Sequence, residues 1–128
     1  MILTDTGVLI RFLRTKDAKL GHSLRTHPVA ICGAVQAEIL AGARNDKERE
    51  RLLAFLRPFH YVPFPEASWD HVGDNLAALY AKGLTVPFPD AIIATVAIEH
   101  DIEAWAGDPH FPMMQKILPT LRLFQEPP

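Results

Sequence analysis

The sequence has one cysteine, Cys32, so an intramolecular disulfide is excluded, and a single thiol does not make a cysteine-based zinc site. No apolar run approaches the ~20 residues that a membrane-spanning helix needs, and the purest run, 91–98, is too short. The first residues, MILTDTGVLIRFLR, place an aspartate inside the first apolar run and lack the basic start and long apolar stretch of a signal peptide. We therefore predict a cytoplasmic protein without a membrane span.

A strong charge of one sign is also absent. The chain has 13 basic and 15 acidic residues and a formal net charge of −2, so its overall charge gives no indication of nucleic-acid binding. The basic residues form one group in the first fifth of the chain and a second group from 44 to 57. Acidic residues alternate with the second group, which favours a solvated helix surface there over a phosphate-binding one.

The length of 128 residues predicts a single domain over 1–128, and the chain has no repeat, low-complexity tract or linker. Short apolar runs alternate with helical patterns along the whole sequence. Such alternation predicts an α/β domain with a central, mainly parallel five-stranded sheet covered by helices on both faces, a three-layer α/β/α arrangement. The five predicted strands are 2–4, 29–32, 61–64, 103–106 and 121–124.

Three aspartates occupy similar places in this scheme. Asp5 follows the first strand and opens a helix, and Asp108 follows the fourth strand directly before Pro109. Asp90 opens an apolar helix predicted over 90–100, which should lie in the interior. Aspartate is a favoured N-cap and stabilises the positive end of a helix, so capping is the favoured explanation for each of the three when taken alone.

Taken together, the aspartates indicate a site. Asp5 and Asp108 fall at the carboxyl ends of predicted parallel strands, which form the usual ligand crevice of an open α/β sheet. Glu38 adds a fourth carboxylate about one turn into the helix after the second strand, with no lysine or arginine within five residues. An acid in such an apolar stretch is costly to bury without a partner. The alternative is that Glu38 lies at a solvated edge of its helix.

Four converging carboxylates would raise one another's pKa, and a divalent cation removes that penalty. Ligands that are all oxygen atoms favour Mg²⁺ or Mn²⁺ over zinc. The six histidines show no paired metal-binding spacing. His110 is the only histidine near the predicted site, and we interpret it as a neighbour of Asp108 rather than as a ligand.

Four segments carry a resemblance to a known family. The segments 5–10 (DTGVLI), 38–43 (EILAGA), 90–97 (DAIIATVA) and 108–111 (DPHF) occur in order over essentially the whole chain. In this order and spacing they resemble the PIN-domain ribonucleases, and most closely the VapC toxins of prokaryotic toxin–antitoxin pairs.

The resemblance implies that Asp5, Glu38, Asp90 and Asp108 are the catalytic, metal-binding residues, with Thr6 as a supporting hydroxyl. It further implies Mg²⁺- or Mn²⁺-dependent endonucleolytic cleavage of RNA and a homodimer. The partner implied is a cognate VapB-like antitoxin that covers the site and that, in this family, usually also binds operator DNA. We add Arg11 and Arg14, on the helix opened by Asp5, as candidate RNA contacts.

The chain departs from the family pattern at two positions. Many relatives have threonine or serine two residues before the fourth acid, where this chain has Ala106, and a hydroxyl residue three before the glutamate, where it has Val35. Both hydroxyls would orient the carboxylates by hydrogen bonds, so weaker metal binding is expected here. The departures leave open a PIN-like domain that has lost catalysis and acts as an RNA- or protein-binding module.

A receiver-like signalling domain is a rival of similar length with an acidic Mg²⁺ pocket. That fold needs adjacent acids after its first strand and a lysine after its last. Here Asp5 has no acidic neighbour and the last predicted strand leads to Gln125, so this reading is disfavoured.

Overall fold

A computed structural model describes all 128 residues, Met1 to Pro128, as four strands and seven helices. The strands are β1 (Ile2–Thr4), β2 (Val29–Ile31), β3 (His60–Tyr61) and β4 (Glu103–Trp105). The helices are α1 (Thr6–Thr15), α2 (Ala18–Thr26), α3 (Gly33–Ala41), α4 (Asp46–Leu56), α5 (Ser68–Ala81), α6 (Phe88–Glu99) and α7 (His110–Ile117). None of the helices is both long enough and apolar enough to cross a membrane.

The sheet has the order β3-β2-β1-β4, and every strand pair in it is parallel. β1 lies in the middle, where Leu3 pairs with Ala30 on one side and with Ala104 on the other. All three residues of β1 are buried, although successive side chains of a strand point to opposite faces. The sheet is therefore covered on both faces, as predicted, and all four strands end at the same edge.

The prediction of five strands is wrong by one. The segment 121–124 makes a single parallel bridge, in which Leu123 pairs with Ala104 of β4. Ala104 donates to the carbonyl of Arg122 at 2.8 Å and accepts from the amide of Phe124 at 2.8 Å. No further backbone pairing with β4 forms, because the chain leaves the sheet beyond Phe124. There Glu126 accepts a hydrogen bond from the Trp105 side chain.

β3 is also shorter than predicted, because Pro63 and Pro65 follow it closely. Proline has no backbone N–H to donate to a neighbouring strand, so the ladder with β2 closes at Tyr61, and Val62 only donates to the Ile31 carbonyl. As the proline predicted, β3 lies at the edge of the sheet.

The helix α6 lies in the interior, as predicted from its apolar sequence. Seven consecutive residues, 91–97, are buried, and the helix packs against α3, α5, α7 and β4. It begins at Phe88, with Pro89 in its first turn, where the missing N–H of proline costs nothing because that N–H would have no partner inside the helix. Asp90 is therefore inside the first turn and does not open the helix.

Candidate metal centre

Asp5 lies between β1 and α1 and is both a helix cap and a buried acid. Its Oδ1 accepts a hydrogen bond from the Val8 amide at 2.9 Å, and its own amide donates to the Trp105 carbonyl at 2.9 Å. The residue is only 4% exposed. The capping explanation is thus correct for one carboxylate oxygen, and it does not account for the burial of the group at the edge where the strands end.

Asp90 has no capping role. The residue before α6 is Pro87, and the Asp90 carboxylate makes no cap hydrogen bond. Its Oδ2 is buried and has no hydrogen-bond partner. A buried polar atom without a partner costs about 1–3 kcal/mol, and more when the group is charged. This atom is the strongest sign that a bound species belongs next to Asp90.

Asp108 follows β4 and is held by His110, the first residue of α7. Its Oδ1 accepts two hydrogen bonds, one from the His110 amide at 2.8 Å and one from the imidazole Nδ1 at 2.6 Å. The same Nδ1 lies 3.8 Å from Asp90 Oδ2, too far for a hydrogen bond. Asp90, Asp108 and His110 offer possible ligand atoms that all lie within 4.8 Å of one another.

Glu38 joins this group from α3 through a hydrogen bond. The Thr6 hydroxyl, on the first residue of α1, donates to Glu38 Oε1 at 2.6 Å. Glu38 is exposed, so the alternative of a solvated helix edge is the correct one. Thr6, in contrast, is buried, and its hydrogen bond holds the Glu38 carboxylate next to the start of α1.

Electrostatic repulsion links the four carboxylates. Burial raises the pKa of Asp5 to about 6 against the opposing hydrogen bond from Val8, with repulsion by Asp90, Asp108 and Glu38 adding to the rise. Burial likewise raises the pKa of Asp90 to about 6, with repulsion by Asp108 and Glu38, while His110 acts in the opposite direction. No lysine or arginine contributes to either shift.

The donor set fits a hard divalent cation. The converging ligand atoms are carboxylate oxygens, which Mg²⁺ and Mn²⁺ prefer, and the imidazole nitrogen nearest to them is already bonded to Asp108. The unpartnered oxygen of Asp90 is placed where a cation would satisfy it. A cation would also offset the burial and the repulsion that together raise the pKa of Asp5 and Asp90.

Hydroxyl support is missing at the two departures named above, and other donors hold the same acids. Val35 is fully buried in the core, and Ala106 carries no polar group. Thr6 instead donates to Glu38, and His110 donates twice to Asp108. The prediction that His110 is a neighbour of Asp108 is confirmed, and its two hydrogen bonds to that carboxylate were not anticipated from the sequence.

Neither of the two arginines named as RNA contacts forms an ion pair with the four acids. Arg11, in the second turn of α1, forms an ion pair with Glu126 near the other end of the chain. Arg14 lies exposed in the last turn of α1. The structure therefore gives these two residues different surroundings, although they occupy the same helix.

Solved structures with this fold cover nearly the whole chain. A VapBC2 complex from Rickettsia felis, bound to a promoter DNA fragment, matches with a TM-score of 0.79 at 22% identity, covering 97% of this chain and 98% of that chain. DNA-bound VapBC from Salmonella typhimurium matches with a TM-score of 0.79 at 20% identity, covering 96% of each chain. FitAcB from Neisseria gonorrhoeae matches with a TM-score of 0.74 at 20% identity, covering 98% of each chain.

No curated protein matches the chain in sequence. The family model of the PIN domain, in contrast, matches residues 2–116, which include all four acids and His110. With the parallel sheet and the acids gathered at its carboxyl edge, this match confirms the family expected from the sequence. The chain belongs to the PIN domain family.

Proposed function

We propose that the protein is a Mg²⁺- or Mn²⁺-dependent endoribonuclease that acts as the toxin of a VapBC-type toxin–antitoxin pair. The observation that carries the proposal is the buried Asp90 Oδ2, which has no hydrogen-bond partner and belongs to a carboxylate repelled by Asp108 and Glu38. A group so placed is costly unless a cation completes it. PIN domains are generally nucleases, and the intact quartet favours an active enzyme over a binding module.

In this proposal Asp5, Glu38, Asp90 and Asp108 hold the cation. When bound, the cation lowers the pKa of a coordinated water and neutralises charge on the scissile phosphate. The chain's own residues keep the carboxylates in place: the Thr6 hydroxyl holds Glu38, and His110 holds Asp108 through one oxygen, leaving the other free. Burial of Asp5 and Asp90 keeps bulk water from competing for their oxygens.

We further propose a VapB-like antitoxin as partner, a homodimer and a cytoplasmic location. Three of the similar structures are described as VapBC or FitAB assemblies bound to DNA, which supports a partner that carries the DNA contact. Arg11 and Arg14 remain the proposed RNA contacts. Analytical ultracentrifugation of the purified chain, alone and with the product of a neighbouring short reading frame, tests the dimer and the partner.

The enzymatic proposal is tested by cleavage of single-stranded and hairpin RNA with Mg²⁺ or Mn²⁺ and with EDTA. We expect cleavage only with metal, and none by Asp90→Asn, which keeps the side-chain shape but removes the charge. The matched control is Asp70→Asn, which makes the same change at an exposed position in the first turn of α5. Cleavage in EDTA, or full activity in Asp90→Asn, would contradict the proposal, and metal binding without cleavage would favour the binding module.

A further inference from the structure

A cavity of about 740 Å³ lies between α1, α2 and the segment 126–128. Its charged lining residues are two cations, Arg11 and Lys19, and two carboxylates, Asp17 and Glu126. Its hydroxyl and imidazole residues are Thr15, His22, Ser23, Thr26 and His27, of which Thr15, Thr26 and His27 are hydrogen-bonded to backbone carbonyls. Of the two carboxylates, Asp17 caps α2 by accepting from the Leu20 amide at 2.9 Å.

The chain's own carboxylate already occupies an anion position in this wall. Glu126 Oε1 accepts from the Arg11 guanidinium and, at 3.0 Å, from the indole Nε1 of Trp105. Trp105 is only 1% exposed, so its indole is fixed by the core, and Glu126 is its hydrogen-bond partner. Two donors from different elements, α1 and β4, thus converge on one carboxylate oxygen of the segment after Phe124.

The charge distribution indicates which ligand suits this position. Residues 1–57 carry 10 of the 13 basic and 6 of the 15 acidic residues, a net charge of +4. Residues 58–128 carry the other 3 basic and 9 acidic residues, a net charge of −6. Most of the residues that line the cavity belong to this basic part of the sequence, and a net positive charge attracts a polyanion. Arg11 lies six residues beyond Asp5 on α1, about 9 Å along the helix axis.

We propose that Arg11 and the Trp105 indole form a binding site for a backbone phosphate of the RNA strand, next to the nucleotides at the acidic quartet. Glu126 occupies this site in the free protein and is displaced when RNA binds, while Lys19 lies in the same cavity wall and adds a second cation. The inference rests on the proposed function, because it assigns part of the substrate strand to a second site on the same chain. It also separates Arg11, which has a built anion site, from Arg14, which does not line the cavity.

The test measures binding of a short single-stranded RNA in EDTA by fluorescence anisotropy over a series of salt concentrations. Glu126→Gln should bind RNA about two- to fivefold more tightly, because an exposed ion pair that competes for Arg11 is removed. In Arg11→Ala the dependence of log Kd on log salt should become shallower by about one unit, as for one lost phosphate contact. Glu50→Gln is the matched control, since it removes an acid from another exposed ion pair, Arg49–Glu50, with the same change in net charge.

A double-mutant cycle makes the test specific to this site. Arg11→Ala should weaken RNA binding severalfold, and in the Arg11→Ala background Glu126→Gln should have no further effect. Equal gains in Glu126→Gln and Glu50→Gln would overturn the inference, since only net charge would then matter. A lower melting temperature of Glu126→Gln with unchanged RNA affinity would also overturn the inference. The contact of Glu126 with Arg11 and Trp105 would then only stabilise the fold.

The outcomes separate this inference from the proposed function. If the protein cleaves RNA with metal but Glu126→Gln binds RNA like the original chain, the phosphate site is wrong and the ribonuclease stands. If RNA is neither bound nor cleaved by either protein, the proposed function fails, and the phosphate site fails with it.

Discussion

Asp5 and Asp90 have pKa values raised to about the same level, about 6, yet the two regions that carry them are built differently. Asp5 caps α1 with one oxygen, so the fold of the β1–α1 junction needs it. Asp90 makes no cap and leaves one buried oxygen without a partner. Burial of the Asp5 carboxylate is thus partly offset by the N-cap hydrogen bond that it makes. The Asp90 carboxylate makes no such bond, so only a bound species could offset the free energy of burying it.

The largest effect should come from substitutions that separate these two roles. Asp5→Ala and Asp90→Ala should each lower the rate of RNA cleavage by more than about 100-fold, because a ligand worth several kcal/mol of transition-state stabilisation is lost. At about pH 4, where the raised pKa values leave little ionisation penalty on folding, only Asp5→Ala should also lower the free energy of unfolding, by about 1 kcal/mol, through loss of the N-cap. Chemical denaturation without metal measures this difference.

Asp5→Asn completes the comparison, because asparagine is as good an N-cap as aspartate. It should restore the stability lost in Asp5→Ala while cleavage remains absent. If Asp90→Ala is destabilised as strongly as Asp5→Ala, the contrast between the two regions is wrong.

Metal affinity should depend on the way Asp108 is held. His110→Ala removes the Nδ1 hydrogen bond and keeps the backbone one, so the affinity for Mn²⁺ should fall about tenfold, as when a group that orients a ligand is removed. Calorimetric titration with Mn²⁺ measures the change directly. His60→Ala, at an exposed residue of β3, is the control and should bind as the original chain does.

The stability of the metal-free protein should fall as the pH rises from about 4 to about 6. Both acids have folded-state pKa values of about 6, above the ordinary value of 3.8, so the folded chain binds protons more tightly than the unfolded chain. Folding is therefore penalised by their ionisation, and the penalty is fully present above about pH 6. Thermal melts in EDTA should show this fall, and Asp90→Asn should show less of it. An identical pH dependence in both proteins would contradict the buried, unpartnered state of Asp90.

The smallest effect is expected at Glu99, a carboxylate outside the site whose polar atoms are satisfied. Burial raises its pKa, but hydrogen bonds from Ser68 and His71 outweigh burial, and the pKa is lowered. Its stabilisation is therefore lost as the pH falls through that lowered pKa, the opposite sign to Asp90. Glu99→Gln should lower the melting temperature by a few degrees near neutral pH without changing cleavage, which melts and the RNA assay can check.

Local patterns predicted most of the fold. Buried apolar runs identified β1 and β2 to within a residue, because a strand covered on both faces has few polar positions. The prediction of a fifth strand over 121–124 is wrong because the pairing of this segment depends on Ala104 and on the path of the chain to Glu126. Neither can be read from the sequence of 121–124 itself. The start of α6 was misplaced by two residues, since both Pro87 and Pro89 are compatible with a helix start.

The family was predictable from the sequence, and the contacts around the candidate site were less so. Strand ends and the family pattern predict that Asp5, Glu38, Asp90 and Asp108 form the site, and this assignment stays a prediction, whereas the match to the PIN domain model confirms the family. The hydrogen bond from Thr6 to Glu38 spans 32 positions and the pair Arg11–Glu126 spans 115, so no local spacing could reveal either. These contacts depend on how helices pack against each other, which periodicity does not encode.

The central position of β1 has a consequence for synthesis of the chain. Leu3 is synthesised before both of its partners, Ala30 and Ala104, so the middle of the sheet stays open until β4 has been translated. Asp5 likewise precedes Asp90 and Asp108, the last two of the four acids to leave the ribosome. At about 5–20 residues per second, the nascent chain is without a complete acidic quartet for several seconds. Any activity of the quartet is thus delayed until nearly all of the chain has emerged.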